Sequence, residues 1–347
     1  MIHSNSEGDI YIEEMPLLLV HLREEEKGAD ARLSEVLSYA LDGYAYETAT
    51  EISAFEDYVN RWRRLEKTQN QKNPVQGRIL FAVPLGTSGI NLELYRLIRF
   101  LREHPDFLNG FVGGLLVDSE NDLYSKSAAK DLVFAANCAG CAFVGRPLVE
   151  GTRTLSNYTI VSNNLGTDLM GAYRESAAGL VKEVLGTDCV RKKCPKVLVL
   201  HASSHKTSNT YAIWNRVKEQ LPEMEIREIG LRNGTLSDCA GCPYKMCLHF
   251  GEQGSCFYGG VMVEDVYPAV READAIVMLC PNYNDALSAN LTAFINRLTS
   301  LFRTTRFYDK ALFAVVVSGY SGSDIVAEQL IAALNMNKTC LLCFIIV

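Results

Sequence analysis

This 347-residue chain has no excess of lysine and arginine. Its 34 basic residues are outnumbered by 41 acidic ones, the formal net charge is −7, and no basic stripe appears. Phosphate backbones are gripped by clustered cations, so nucleic acid is not an expected partner. An apolar run approaching the ~20 residues of a membrane span is also missing. The first nine residues, Met1-Ile2-His3-Ser4-Asn5-Ser6-Glu7-Gly8-Asp9, contain neither the basic nor the apolar region of a secretory leader. The expectation is a cytoplasmic protein that stays off membranes. Without a secretory signal, the eleven cysteines read as buried thiols or metal ligands rather than a disulfide framework. Apolar residues, by contrast, are plentiful: they make up 48% of a length that suits two ordinary domains.

Two short segments carry the chemistry. The apolar run Val197-Leu198-Val199-Leu200-His201-Ala202 leads into Ser203-Ser204-His205-Lys206-Thr207-Ser208-Asn209-Thr210 and then a helical pattern from about Tyr211. That is a strand, a loop of phosphate size and a helix. Its hydroxyls, the Asn209 amide and unpaired backbone N–H groups would converge where the helix dipole is positive, which suits a phosphomonoester. Helix capping alone is the plainer reading of such a cluster. The second segment is Pro281-Asn282-Tyr283-Asn284-Asp285-Ala286-Leu287-Ser288-Ala289, between a buried strand from Ala275 to Cys280 and a helix pattern on Leu291, Phe294, Ile295 and Leu298.

Together the two segments resemble the flavodoxin-like NAD(P)H-dependent FMN reductases, most closely their iron-sulfur flavoprotein branch, over residues 196–347. The stretch Ser288-Ala289-Asn290-Leu291-Thr292-Ala293-Phe294-Ile295-Asn296-Arg297 corresponds to that family's S-A-x-L-K-x-F-I-D-R-like segment. The resemblance implies that Ser203, His205, Lys206, Ser208, Asn209 and Thr210 hold the ribityl phosphate of FMN, with Lys206 adding a point charge. It implies that Pro281, Asn282, Tyr283 and Asn284 lie against the isoalloxazine ring. Ser318, Gly319, Tyr320, Ser321 and Gly322 form a third loop toward the ring.

The two halves of the sequence repeat one order of elements. Leu17-Leu18-Leu19-Val20-His21-Leu22 matches Val197 to Ala202, and Ile79-Leu80-Phe81-Ala82-Val83-Pro84 matches Ile276 to Pro281. The following helices stay in register, Leu94 with Leu291, Leu97 with Phe294, Ile98 with Ile295 and Leu101 with Leu298. Gly113 to Val117 then falls where Phe313 to Val317 does. Short apolar β runs alternating with helices imply parallel sheets covered on both faces. The expected fold is α/β: two tandem flavodoxin-like doubly wound sheets of strand order 2-1-3-4-5, at 10–187 and 196–347, joined by a linker at 188–195.

In the first copy the cofactor loops are gone. Its first loop, Arg23-Glu24-Glu25-Glu26-Lys27-Gly28-Ala29-Asp30, sets three carboxylates where a phosphate would bind, and its second, Pro84-Leu85-Gly86-Thr87-Ser88-Gly89, lacks the tyrosine. Since family members commonly pair as homodimers, the resemblance implies that this half serves as a built-in partner, making an intrachain pseudo-dimer. The first copy follows its fifth strand with a helix near Asp168 to Val184, whereas the second ends at Cys343-Phe344-Ile345-Ile346-Val347. The second domain is therefore expected to lack its last helix and to expose an apolar face, as a truncated product would.

Cys239-x2-Cys242-x4-Cys247-x8-Cys256 places four thiols within eighteen residues, close enough for an iron-sulfur cluster or tetrahedral zinc. Gly241, Gly251 and Gly254 would let backbone N–H groups turn toward the sulfurs. The iron-sulfur flavoproteins carry a C-x2-C-x2-C-x4-7-C motif here, and two spacings differ from it. A [4Fe–4S] cluster, structural zinc and free thiols in a pocket-forming loop are all compatible. Cys280, Cys340, Cys343 and the pair Cys138 and Cys141 read as packing residues.

The resulting expectation is an FMN-dependent oxidoreductase that takes hydride from NADH or NADPH and passes electrons to a small-molecule or protein acceptor. The flavin performs the transfer, so no catalytic side chain is assigned. The alternatives are a non-enzymatic flavin or iron-sulfur electron carrier and a structural protein with both sites empty.

Overall fold

The computed structural model describes residues 3–4, 10–11, 15–23, 27–68, 76–189, 192–203, 208–232 and 234–347. In the first half the elements are β1 (His3–Ser4), β2 (Ile10–Tyr11), β3 (Leu17–His21), α1 (Lys27–Ala40), β4 (Tyr46–Ala49), α2 (Ile52–Thr68), β5 (Gly77–Leu85), α3 (Leu92–Glu103), β6 (Phe111–Ser119), α4 (Ser125–Cys138), β7 (Ala142–Gly151), α5 (Thr159–Leu165) and α6 (Leu169–Gly186). The second half carries β8 (Lys196–His201), α7 (Asn209–Glu219), β9 (Glu225–Gly230), α8 (Tyr244–Glu252), α9 (Tyr267–Glu272), β10 (Ala275–Asn282), α10 (Ala289–Phe302), β11 (Ala311–Ser318), α11 (Ser323–Leu330) and β12 (Leu341–Ile346).

Strand order is β4-β3-β5-β6-β7 in the first half and β9-β8-β10-β11-β12 in the second, so the 2-1-3-4-5 order occurs twice. The strands are apolar runs buried on both faces, as parallel sheets require: β3 and β6 are buried at every position. The matched helices bury one stripe each, Leu94, Leu97, Ile98 and Leu101 on α3 and Leu291, Phe294, Ile295 and Leu298 on α10.

The chain forms two compact units. One gathers described residues within Met1–Phe100, Gly110–Ser125 and Val149–Thr187; the other gathers Leu101–Asn109, Lys126–Leu148 and Asp188–Val347. In the first unit β4-β3-β5-β6 are parallel, with Leu18 opposite Ile79 and Ile79 opposite Gly113. Gly114 is required there because a Cβ would stand 2.8 Å from Val184 and 2.9 Å from Leu180 of α6.

The second unit draws most of α4 and the start of β7 from the first half of the sequence. Its parallel strands end at β12, whose outer edge is met antiparallel by β7, Leu342 opposite Phe143. Asn137 of α4 fixes that edge by donating to Cys343 O at 3.1 Å and accepting from Ile345 N at 3.1 Å. Asn335 donates to both Val144 O (2.9 Å) and Cys340 O (2.8 Å). The outer edge of β12 is thus paired, and Phe313 and Phe344, opposite one another, are each 38% exposed. No described helix is long and apolar enough to cross a membrane.

Candidate functional site

In the second unit the loops after β8, β10 and β11 open at one end of the sheet, because the three strands run in register. Leu279 lies opposite His201, and Asn282 opposite Ser318. This is the switch point of a doubly wound sheet, where ligands bind. Ser203 is buried there and its Oγ has no hydrogen-bond partner. Residues Ser204, His205, Lys206 and Thr207 lie outside the described residues, so the expected contacts of His205 and Lys206 rest on sequence. Ser208 caps α7, its Oγ accepting from Tyr211 N at 3.2 Å; Asn209 is exposed and Thr210 is buried in the first turn. For Ser208 the plain capping role therefore holds, and the helix N-terminus still faces the loop.

The loops after β10 and β11 are stapled to each other by one side chain. The Asn282 amide donates to Asp285 Oδ1 (3.1 Å), Ser318 Oγ (3.2 Å) and Ser321 O (3.4 Å), while its oxygen accepts from Asp285 N (2.8 Å). Gly322 completes the staple. It sits at φ +93°, and a Cβ there would stand 1.9 Å from Asp285 Oδ1. Gln329 adds a second tie by accepting from Leu287 N at 2.9 Å and donating to Asp285 O at 3.2 Å. Sequence reading assigned Asn282 a ring contact and missed Asp285 and Gln329, since long-range staples leave no local pattern. Around the staple Pro281 is half-buried and Asn284 exposed; Tyr283 and Tyr320 project outward at 71% and 98% exposure. Ser288, at the start of α10, is a second buried hydroxyl without a partner.

These features answer whether FMN suits the residues present. Two buried hydroxyls, Ser203 Oγ in the loop after β8 and Ser288 Oγ at the start of α10, have no hydrogen-bond partner among the described residues, and a ligand could supply one. The residues fit the group. Behind the site, Glu228 on β9 accepts from Tyr211 Oη (2.6 Å), Trp214 Nε1 (3.3 Å) and Lys218 Nζ (2.7 Å), fixing α7 against the sheet. Burial works against the Glu228 carboxylate, but those three donors outweigh it and hold its pKa below the ordinary value. The bond to Glu228 is the chief reason that Tyr211 is pushed up to about 12. His201 is buried against the Tyr211 ring, 5.2 Å between centroids, which suits a packing role.

At the matching place in the first unit the polar groups meet each other. Asp118, fully buried at the end of β6, takes a bidentate pair from Arg32, Nε to Oδ2 at 2.9 Å and Nη2 to Oδ1 at 2.7 Å. Arg32 also donates to Ser119 O and Arg153 O. Burial raises the Asp118 pKa, and the arginine pulls against that rise. Asn91 ties the loops after β3 and β5 by donating to Leu22 O and Pro84 O. A cavity of about 440 Å³ remains, lined by Ala29, Arg32, Thr87, Glu120 and Arg153. The expected absence of cofactor loops turns on Glu24, Glu25 and Glu26, which lie outside the described residues.

The four cysteines follow β9. Cys239 is exposed, Cys242, Cys247 and Cys256 are half-buried, and Cys247 lies within α8, which separates the first pair from Cys256. Among the described residues no group of three or more His, Cys, Asp or Glu is drawn into a metal-ligating arrangement. The Tyr258 hydroxyl instead stands beside Cys242, with Cys239 and Cys256 in electrostatic reach, and burial foremost raises its pKa. Gly241 and Gly254 turn the chain at φ +72° and +66°. Gly251 does other work, since a Cβ would stand 2.5 Å from Ser300 O and block α8 from packing on α10.

Fold and site define a flavodoxin-like α/β protein with one open and one internally paired switch point. Residues 195–342, less than half of the chain, match the model of the family described as NADPH-dependent FMN reductase. No curated protein matches the chain. Similar solved structures include an NAD(P)H:quinone oxidoreductase from Methanothermobacter marburgensis, 15% identical with a TM-score of 0.34, covering 42% of this chain and 76% of that one. Smu.1420 from Streptococcus mutans UA159 is 14% identical with a TM-score of 0.34, over 44% of this chain and 84% of the other. An FMN-dependent NADH-azoreductase from Bacillus anthracis is 13% identical with a TM-score of 0.31, over 44% and 85%. Likeness at that level says nothing of chemistry.

Proposed function

We propose that the protein is an NAD(P)H-dependent FMN oxidoreductase, with one flavin at the switch point of the second half. The observation that carries this reading is the pair of loops after β10 and β11, stapled by Asn282 at the sheet end where the Ser203 and Ser288 hydroxyls have no partner among the described residues, within the segment that matches the reductase family. When bound, FMN supplies the hydride chemistry. The chain's own residues bind and orient. Ser203, the α7 N-terminus and the loop carrying His205 and Lys206 take the phosphate. The backbone of Pro281 to Asn284 and of Ser318, Gly319 and Gly322 borders the ring, held at fixed distance by the Asn282 staple. Tyr283 and Tyr320, both exposed, flank the open side where a nicotinamide or an acceptor enters. No side chain is asked to move a proton. The acceptor is a small molecule or a redox protein.

Cys239, Cys242, Cys247 and Cys256 supply the donor chemistry of a [4Fe–4S] cluster or, as the lesser alternative, zinc, although the sulfurs are not gathered as placed. No electron step is routed through it here. The test is the absorption spectrum of anaerobically purified protein before and after NADH or NADPH. A flavin band that bleaches with nicotinamide supports the reductase. A band that bleaches only with an added reductase points to a carrier. Protein that cannot take up FMN contradicts the proposal.

A further inference from the structure

The first unit keeps a cavity at its own switch point. The walls come from the carboxyl ends of four strands: Ala29 and Arg32 on α1 after β3, Thr87 after β5, Glu120 after β6 and Arg153 after β7. That is where a doubly wound sheet offers a ligand its place. At about 440 Å³ the cavity lies in the range of small-molecule pockets.

Hydrogen bonds fix these walls to one another. Arg32 spans three of them, pairing with Asp118 at the end of β6 and donating to Ser119 O (3.1 Å) and Arg153 O (3.2 Å). Glu120 N donates to Leu85 O at 3.0 Å and the Asn121 amide donates to Thr87 O at 3.0 Å, which locks the loop after β6 to the loop after β5. Beyond β7, Asn157 accepts from Thr152 Oγ1 (2.9 Å) and donates to Glu150 O (2.9 Å), closing the turn that carries Arg153.

Two charges on these fixed walls are uncommitted. Arg32 and Asp118 neutralise each other, whereas the half-buried Glu120 and the exposed Arg153 line the same cavity and their side chains form no hydrogen bond or ion pair with each other or with any other described residue. The cavity therefore offers one available charge of each sign. A phosphate dianion would face Glu120 with a single uncommitted cation to oppose it. A divalent cation would find one available carboxylate between two guanidinium groups, far short of the oxygen ligands it needs. A molecule carrying both signs finds a partner for each, its carboxylate on the Arg153 fork and its ammonium on Glu120.

We propose that this cavity is a second binding site, in a different unit from the flavin loops, that takes a free α-amino acid as its zwitterion. The carboxylate docks on Arg153, the ammonium on Glu120, and the side chain takes the space beside Ala29 and Thr87. Arg32 and Asp118 are positioning residues, since their pair holds the turn of Arg153 against the end of β6. No bond is made or broken at this site, and its occupation does not depend on FMN binding in the second unit.

The test is isothermal titration calorimetry of the full chain with each common α-amino acid in turn and, as the competing chemistry, inorganic phosphate, repeated on Glu120→Gln and Arg153→Gln. Both variants should keep the wild-type denaturation midpoint, because neither side chain bonds a described residue. The expected result is at least one amino acid that binds at one per chain and loses roughly tenfold or more in affinity in each variant, the effect of one charge-assisted hydrogen bond. Blocked ligands assign the two ends. The methyl ester of that amino acid should bind wild type and Arg153→Gln alike, and its N-acetyl derivative should bind wild type and Glu120→Gln alike. If a variant loses its fold, the blocked ligands carry the test on wild type, where each should bind roughly tenfold more weakly than the free amino acid. Wild-type protein that binds no amino acid overturns the proposal, and so does binding that neither variant weakens or that FMN displaces, since the ligand then sits elsewhere. Phosphate that binds more tightly than any amino acid and is lost in Arg153→Gln would make the cavity an anion site and overturn it too.

Discussion

At the carboxyl ends of β3, β5 and β6 the chain turns its polar groups on one another, whereas at those of β8, β10 and β11 it leaves two buried hydroxyls unmatched. The strand order is the same in both places, and so is the use of an asparagine to tie neighbouring loops, Asn91 in the first half and Asn282 in the second. What differs is where the charged residue stands. Asp118 at the end of β6 recruits Arg32 into a buried pair that stiffens the mouth, and the first loop brings three glutamates. The second half ends the corresponding strand on Ser318, whose hydroxyl donates to Ser321 O at 2.9 Å and so shapes a loop without adding charge. A repeated fold therefore carries chemistry only where its loops leave groups for a ligand.

The comparison breaks most visibly through stability. Asp118→Asn leaves the Arg32 guanidinium against a neutral amide and is expected to destabilise the chain by about 3 kcal/mol, with the amount of FMN bound per folded molecule unchanged. Denaturant melts combined with flavin titration check both halves of that statement. A fall in flavin stoichiometry would place cofactor binding in the first unit.

Gly322→Ala acts in the opposite sense. A methyl group at φ +93° and 1.9 Å from Asp285 Oδ1 forces the ring-side loops apart, costing about 2 kcal/mol of strain. FMN affinity, read by quenching of flavin fluorescence, should drop by at least roughly tenfold. Asn282→Ala removes the staple without adding a clash and is expected to lower stability by about 1–2 kcal/mol, with a smaller effect on affinity. Equal affinity in all three proteins would separate the staple from the cofactor.

The smallest effect lies behind the site. Glu228→Gln should cost about 1 kcal/mol at neutral pH. Because the folded-state pKa of Glu228 is depressed, its contribution is fully present above the ordinary value of 4.5 and is lost as the pH falls through the folded value. The stability difference between wild type and variant should therefore close on acidification below pH 4.5. A gap that widens there would reverse the sign of the argument.

Much of this architecture was legible beforehand because periodicity and strand-loop-helix order are local properties. The paired helix positions from Leu94 and Leu291 onward lie on buried stripes, and strand ends shift by only one or two residues, as where β10 runs on to Asn282. The candidate loops, with Ser203 and the Pro281 to Asn284 segment, could be picked out from the sequence, but their fastening could not. Asp285 and Gln329 meet across 44 residues, and Arg32 and Asp118 across 86. The same holds for α4 and β7, which complete the second unit although the sequence repeat assigns them to the first. Only the tertiary fold brings such pairs together, and no periodicity reports them.

The central claim is that one of two like switch points takes the flavin. It is tested most directly by equilibrium titration of the full chain with FMN, followed by NADH or NADPH. The account predicts one FMN per chain and bleaching of its visible band by the nicotinamide. Two FMN per chain, or none, would contradict it.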